Sequence, residues 1–141
     1  MNHWLVDTGP IVAYLDAADN EHTRVAERLD RFSGRLATTG AVVTEAMYFV
    51  SSTALGPRRL AEFVVDSGMQ VFDLAQPAEL RAAAALMERY SDTPMDYADA
   101  TLVLLAQALQ IREIVTLDRR GFSTYRAASR TAFRLMLEQD S

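Results

Sequence analysis

The segment PMDYADATLVLLAQAL, residues 94–109, decides how the rest of the chain is organised. Its apolar residues recur at helical spacing, which predicts a helix with one face in a hydrophobic core: Met95, Ala98, Leu102, Leu105 and Leu109. Asp96 and Asp99 stand three positions apart at its front, so they point in similar directions. Thr93 followed by Pro94 predicts the helix start, with Thr93 as the N-cap. Asp96 then completes a Thr-x-x-Asp capping pattern, which accounts for its presence.

Capping does not account for Asp99. This acid stands past the first predicted turn, between two alanines and ahead of an apolar run. A carboxylate in such a place costs free energy unless a cation meets it. No cationic residue is close by in the sequence, so we expect Asp99 to belong to a site that distant parts of the chain complete.

Length and composition predict one globular domain over residues 1–141. Half of the 141 residues are hydrophobic and 23% are charged, which is typical of a folded chain with a sizeable core. The absence of cysteine excludes disulfides, thiolate catalysis and Cys-ligated zinc. No signal peptide or membrane-spanning run is found, so we expect a soluble cytoplasmic protein that does not contact a membrane.

The charged residues narrow the classes of function further. A net charge of −5 argues against a surface that is basic all over, although a local basic patch is compatible with it. All 14 basic residues are arginine. The lack of lysine excludes the Walker A phosphate loop, Schiff-base chemistry and other sites that depend on lysine.

Short apolar runs alternate with helical patterns along the chain. The predicted strands are 3–6, 36–38, 69–74, 113–117 and 133–137. The predicted helices, besides the one described above, are 11–18, 21–32, 41–52, 58–66 and 77–90. This alternation predicts an α/β fold, a three-layer α/β/α sandwich with a central, mostly parallel sheet.

Three further acids occupy places that favour a site. Asp7 and Asp118 each follow a predicted strand, where open α/β sheets place ligand groups. A turn carboxylate that bonds nearby backbone N–H groups is the alternative for Asp7. Glu45 is the only charged residue between Arg35 and Arg58, on a helix that is otherwise nearly all apolar. It either serves a site or reaches solvent from a narrow polar stripe.

Parallel strands end at one edge of a sheet, so Asp7, Glu45, Asp99 and Asp118 can converge there. Four carboxylates in one place repel one another, and a bound divalent cation is the usual way in which proteins offset this repulsion. With oxygen ligands only, and no cysteine or suitable histidine, the expected ions are the hard ones, Mg²⁺ or Mn²⁺, rather than zinc.

Four motifs in this order resemble those of PIN domains, and specifically of VapC-like toxins from bacterial toxin–antitoxin pairs. The motifs are VDTGPI at residues 6–11, TE at 44–45, PMDYADA at 94–100 and VTLDRRGF at 115–122. The resemblance implies a Mg²⁺- or Mn²⁺-dependent ribonuclease with an acidic quartet on a parallel sheet. Carried over, the quartet is Asp7, Glu45, Asp99 and Asp118, with Asp96 as an additional acid.

The implied reaction is hydrolysis of RNA phosphodiester bonds with one or two metal ions. Asp7 and Asp99 would be direct ligands, while Glu45 and Asp118 would hold metal-bound waters or complete a second ion site. The resemblance also implies an RNA substrate, a cognate antitoxin as protein partner and a homodimer.

Arginines are the expected contacts to the RNA backbone. Arg119 and Arg120 directly follow an acid of the quartet. Further candidates lie elsewhere in the chain: Arg58, Arg59, Arg126 and Arg130. For any one of these arginines, a solvated surface charge is the alternative.

Two other families also place an aspartate after the first strand: haloacid-dehalogenase-like phosphatases and receiver domains. The phosphatase motif needs a second aspartate where this chain has Gly9, and both families use a lysine, so both are excluded. A housekeeping RNA-processing PIN nuclease and an inactive RNA- or protein-binding PIN module stay open, although the complete quartet disfavours the second. An antitoxin-like reading frame directly upstream would separate the toxin from the housekeeping enzyme.

Overall fold

A computed structural model places residues 2–139, and all structural statements refer to that part of the chain. Five parallel strands form one sheet in the order β3-β2-β1-β4-β5. The strands are β1 His3–Val6, β2 Arg35–Thr39, β3 Gln70–Phe72, β4 Glu113–Val115 and β5 Arg134–Leu135. The helices are α1 Thr8–Leu15, α2 His22–Asp30, α3 Gly40–Val50, α4 Gly56–Ser67, α5 Pro77–Arg89, α6 Tyr97–Leu109 and α7 Arg119–Thr124.

The first strand of the chain lies at the centre of the sheet. Leu5 is opposite Ala37 of β2 on one side and Ile114 of β4 on the other, and all three are fully buried. Strands covered on both faces are made of continuous apolar runs, as these are. The predicted strand His3–Val6 is confirmed, and the central sheet is entirely parallel.

The order of the strands explains the three layers. The chain moves from β1 outward through β2 to β3, then crosses back to β4 and continues to β5. Because such crossovers are right-handed, α1–α4 cover one face of the sheet and α5 and α6 cover the other. The predicted α/β/α sandwich is confirmed. The direction of winding reverses between β1 and β4, which is where open α/β sheets bind ligands.

Helix α6 is the most buried helix, as its apolar sequence predicts. Its fully buried residues include Leu102 and Val103, and it packs against α5, α3 and β2. Leu109, which we expected in the core, is 36% exposed because it lies in the last turn. None of the helices within residues 2–139 has the length and apolar content needed to span a membrane.

The start of α6 differs from the prediction. The N-cap is Asp96 rather than Thr93, and the helix begins at Tyr97. Pro94 lies in the preceding loop, where its carbonyl oxygen accepts a hydrogen bond of 2.8 Å from the Tyr125 hydroxyl. The Thr93-Pro94 pair therefore predicted the helix start about one turn too early, since the distant Tyr125 holds Pro94 outside the helix.

The tail also differs in two places. Residues 119–122 lie outside the predicted strands and helices, yet they begin the short helix α7, because the Asp118 side chain accepts from the Gly121 N–H at 3.0 Å and caps it. The last strand is only Arg134–Leu135, shorter than the predicted 133–137. It still pairs in parallel with β4.

Helix α3 is less buried than its apolar sequence suggested. Val42, Ala46 and Val50 are in the core, whereas Tyr48 and Phe49 are 75% and 54% exposed. The apolar residues around Glu45 are therefore not all buried. An exposed apolar surface lies beside that acid instead.

Candidate active site

An open pocket of about 530 Å³ lies where β1 and β4 end. All five acids that the sequence singled out line it: Asp7, Glu45, Asp96, Asp99 and Asp118. Val12, Phe49 and Leu117 supply an apolar wall. We call this the acidic pocket. It coincides with the reversal of winding in the sheet, as the fold predicts.

Asp7 is the most buried acid of the pocket, with 8% of its surface exposed. It caps α1, its Oδ1 accepting from the Thr8 N–H at 2.8 Å, and its Oδ2 accepts from the Thr116 hydroxyl at 2.8 Å. Burial, together with the smaller effect of the charges of Asp96 and Glu45, raises the pKa of Asp7 to about 6 despite these two hydrogen bonds. The turn-carboxylate interpretation of Asp7 is therefore confirmed, and its position in the acidic pocket is compatible with the site interpretation, which stays a prediction.

Asp96 and Asp99 form a reciprocal capping box at the start of α6. Asp96 Oδ1 accepts from the Asp99 N–H at 2.8 Å, and Asp99 Oδ2 accepts from the Asp96 N–H at 3.2 Å. The expectation that nothing local accounts for Asp99 was wrong, because the helix starts later than predicted. Asp99 is the third residue of the helix and completes the cap.

The cap does not neutralise Asp99. Burial, together with the negative charges of Asp7 and Asp96, raises the pKa of Asp99 to about 8. None of the ion pairs seen within residues 2–139 includes an acid of the pocket. The pocket therefore holds several carboxylates with no cation to balance them, which favours binding of a cationic group.

Thr116 joins two acids of the pocket, a role that sequence reasoning missed. Its hydroxyl donates to Asp7 Oδ2 and accepts from the Asp118 N–H at 3.0 Å. Thr116 is 2% exposed, so both hydrogen bonds lie in the protein interior, away from solvent. A threonine two positions before an aspartate at a strand end was the available signal, since such hydroxyls bond the local backbone.

Glu45 and Asp19 reach the pocket from helical and loop positions. Glu45 is half-buried on α3, and its charge is felt at Asp7. Asp19, between α1 and α2, was not singled out from the sequence. Its Oδ1 accepts from the Glu21 N–H at 2.8 Å, so it also shapes a turn. Sequence offered no signal for it, because a turn aspartate is common in any loop.

The two arginines expected to bind RNA do not line the acidic pocket. Arg119 Nε lies 2.9 Å from Glu138 Oε1, an acid that also pairs with Arg24 at 2.6 Å. Arg120 is exposed, and no side-chain partner for it is found in the part of the chain that the structure covers. The structure thus brings the acids together without these arginines.

The donors of the pocket fit a hard divalent ion. They are carboxylates together with the buried hydroxyl of Thr8, which has no hydrogen-bond partner among the described residues. Within residues 2–139 no three His, Cys, Asp or Glu side chains form a ready cage for an ion. Mg²⁺ keeps several waters and often takes only one or two carboxylates, so such a cage is not required. The ligand set Asp7, Glu45, Asp99 and Asp118 stays a prediction.

Comparison with known proteins gives consistent results. The model of the PIN domain family matches residues 4–128. Ribonuclease VapC26 of Mycobacterium tuberculosis (strain ATCC 25618 / H37Rv) is 36% identical over 124 residues, which cover 86% of this chain and 91% of that protein. The crystal structure of Mycobacterium tuberculosis VapC20, described as a Sarcin-Ricin loop cleaving toxin, aligns with a TM-score of 0.74 and 17% identity, covering 84% of this chain and 91% of that one. At this identity the second likeness supports the fold alone.

Proposed function

Because the chain belongs to the PIN-domain family, with a VapC ribonuclease among its relatives, we propose that it is a metal-dependent ribonuclease and the toxin of a toxin–antitoxin pair. The observation that carries the proposal is the convergence of six acids on one open pocket, with no cationic side chain among the described residues that line it. The proposed substrate is RNA, the proposed cofactor is Mg²⁺ or Mn²⁺, and the proposed place of action is the cytoplasm.

Asp7 and Asp99 are the proposed direct metal ligands. Asp7 is held by the Thr8 N–H and the Thr116 hydroxyl, and Asp99 by the Asp96 N–H, so neither carboxylate needs to reorganise on binding. A bound Mg²⁺ or Mn²⁺ would supply Lewis acidity toward phosphate oxygens and lower the pKa of the attacking water. Glu45 and Asp118 would accept hydrogen bonds from waters around it.

The negative charge of the carboxylates also determines which groups can enter the pocket. Without a divalent ion, their charge repels an RNA phosphate, so the metal-free protein is expected to be inactive. The apolar wall of Val12, Phe49 and Leu117 limits the water that reaches the reacting phosphate. The arginine that stays free to meet the RNA backbone near this edge is Arg120, since Arg119 is paired with Glu138.

Protein partners belong to the same proposal. Tyr48, Phe49 and Leu55 are exposed by 75%, 54% and 60%, and Phe49 also lines the acidic pocket. Exposed apolar groups of this size favour a protein interface. We assign this surface to a protein partner, the antitoxin or a second copy of the chain, and light scattering on the protein with and without a co-expressed upstream product distinguishes the two.

Cleavage assays test the function directly. Purified protein incubated with a mixed RNA pool should cut it only when Mg²⁺ or Mn²⁺ is present, and the products should carry 5′-phosphates. Millimolar Mn²⁺ should also raise the melting temperature, since a ligand bound only to the native state stabilises it. Cleavage that persists in EDTA, or products with 2′,3′-cyclic phosphates, would exclude the metal mechanism.

A further inference from the structure

A second cavity, also of about 530 Å³, lies where α5 and α6 meet the segment that follows α7. Three positively charged side chains line it: Arg89, Arg126 and Arg130. Gln107 and Ser129 add neutral polar groups, and neither aspartate nor glutamate is among the residues that line it. We call it the arginine cavity.

The charges of this cavity are not balanced by the protein. The side chains of Arg89 and Arg130 make no hydrogen bond or ion pair within residues 2–139. Arg126 uses only its Nη1, which donates to the carbonyl oxygens of residues 123, 124 and 125 at 2.9, 3.0 and 3.0 Å. Its Nε and Nη2 have no acceptor in the same part of the chain. In a protein of net charge −5, three arginines around one cavity without an acid form a local anion-attracting site.

The backbone that carries Arg130 is unusual. Ser129 and Arg130 have φ values of 55° and 59°, and the Thr131 N–H donates to the Ala128 carbonyl at 3.1 Å. This is the pattern of a type I′ hairpin turn, whose two central positions favour Asn-Gly because a side chain there is strained. Arginine at the second central position of the turn costs conformational free energy, but it places a guanidinium group at the cavity. Strained residues of this kind cluster at functional sites.

The cavity and the acidic pocket lie at two ends of the same helix. Asp99 is in the first turn of α6 and Gln107 is near its end, which places them about 12 Å apart along the helix axis. Between them the Tyr125 ring contacts the Tyr90 ring at 5.1 Å, and its hydroxyl bonds Pro94 beside the acids. A stacked strand that rises about 3.4 Å per nucleotide would span this distance in roughly four nucleotides.

We propose that the arginine cavity binds a backbone phosphate of the substrate RNA, several nucleotides away from the bond that is cut. This inference rests on the proposed ribonuclease function. Guanidinium groups bind phosphate oxygens in a bidentate manner, and two or three of them around one cavity suit a phosphate better than a base. The large exposed hydrophobic side chains, such as Tyr48 and Val65, do not line the cavity, which argues against a protein partner there.

Oligouridylates of about 12 and about 2 nucleotides test the proposal, since only the longer one can reach from pocket to cavity. Binding is followed by fluorescence anisotropy with Ca²⁺ in place of Mg²⁺ or Mn²⁺, so that a divalent ion offsets the charge of the acids while cleavage stays slow. For the double variant Arg89→Ala/Arg130→Gly we expect affinity for the longer RNA to fall about tenfold. Its salt slope should fall by about 0.7, the value for one lost phosphate contact on a single strand. Affinity for the shorter RNA should not change.

Arg81→Ala is the matched control, because Arg81 is an exposed arginine of α5 that does not line the cavity. It should bind both RNAs as the wild type does. The melting temperature of Arg130→Gly should stay level or rise, since glycine suits the turn. A marked fall in melting temperature would make Arg130 a structural residue and overturn the proposal.

Two further measurements separate the possible failures. If inorganic phosphate binds at the cavity but the double variant keeps its affinity for the longer RNA, the cavity is a site for free anions and the proposal is wrong. If the wild type cuts an RNA pool with Mn²⁺ and the double variant binds and cuts equally well, only the cavity inference fails. If the wild type cuts no RNA with any divalent metal, the proposed function itself fails.

Discussion

The acidic pocket and the arginine cavity each gather charges of one sign that form no ion pair within residues 2–139, yet the protein fixes the two sets of side chains differently. Asp7, Asp96 and Asp99 are fixed by hydrogen bonds from backbone or threonine, and Asp7 is buried. The arginines of the cavity are exposed, and two of them are held by nothing in the described chain. Repulsion between buried charges is strong, whereas solvent and salt screen exposed ones. Changes in the pocket should therefore alter folding stability, and changes among the arginines should alter only salt-dependent binding.

The largest effect is expected from Asp99→Asn. Asparagine keeps an oxygen that can accept from the Asp96 N–H, while it removes an acid whose ionisation is opposed by burial and by the neighbouring carboxylates. Cleavage with Mn²⁺ should fall by a factor on the order of 10² or more, as expected for a lost metal ligand or charge-positioning group. The melting temperature in metal-free buffer should stay level or rise. Asp92→Asn, an exposed acid outside the pocket, is the control. An unstable variant that still cuts RNA would make Asp99 a structural acid.

The pH dependence of stability measures the repulsion in the pocket itself. Folding raises the pKa of Asp7 from 3.8 to about 6 and that of Asp99 to about 8, so the folded state binds protons more tightly than the unfolded state. The free energy of unfolding should therefore decrease as pH rises from about 4 to 8, with Asp7 contributing about 3 kcal/mol between about 4 and 6. Urea unfolding without metal, repeated across this range, gives the curve. Stability that rises with pH would contradict the assignment, and Mn²⁺ should flatten the decline.

A smaller effect on stability is expected at Asp96, where two substitutions separate its role as a helix cap from the effect of its charge. Asp96→Ala removes the acceptor for the Asp99 N–H, whereas Asp96→Asn keeps an oxygen there and loses the charge. The alanine variant should be about 1 kcal/mol less stable than the asparagine variant, because asparagine caps helices about as well as aspartate. Calorimetry on both proteins without metal decides this. Equal stabilities would show that the cap contributes nothing.

The smallest effect is expected from the arginines beside the pocket. Arg120→Ala should lower the salt slope of RNA binding by about 0.7, since one phosphate contact on a single strand is lost. Arg119→Ala should leave the slope unchanged, because Arg119 is paired with Glu138. The salt dependence of binding is measured for both variants in parallel. A larger effect from Arg119 would mean that RNA breaks this ion pair.

The sequence predicted the sheet well because buried parallel strands leave a clear apolar signal. His3–Val6 was found as predicted, and the acids at strand ends, Asp7 and Asp118, were found at one edge. Local signals at helix ends were less reliable. The start of α6 was misplaced because Pro94 is held in its loop by Tyr125, a contact between residues 31 positions apart that no local pattern reveals.

Two parts of the candidate sites lay beyond sequence reasoning. Asp19 lines the acidic pocket, and aspartates in turns occur too often to single this one out. The arginine cavity depends on α5, α6 and a turn with positive φ at Ser129 and Arg130. A Ser-Arg pair does not predict such a turn, because other residues are preferred there.

The bond between Asp7 and Thr116 has a consequence for synthesis of the protein. It joins residues 109 positions apart. Asp7, the first acid of the pocket to leave the ribosome, therefore lacks this bond until Thr116 has been made. At about 5–20 residues per second this interval is roughly 5 to 20 seconds. Strand β1 cannot gain its second neighbour, β4, before then. A nascent chain therefore cannot assemble the acidic pocket before Thr116 has been made.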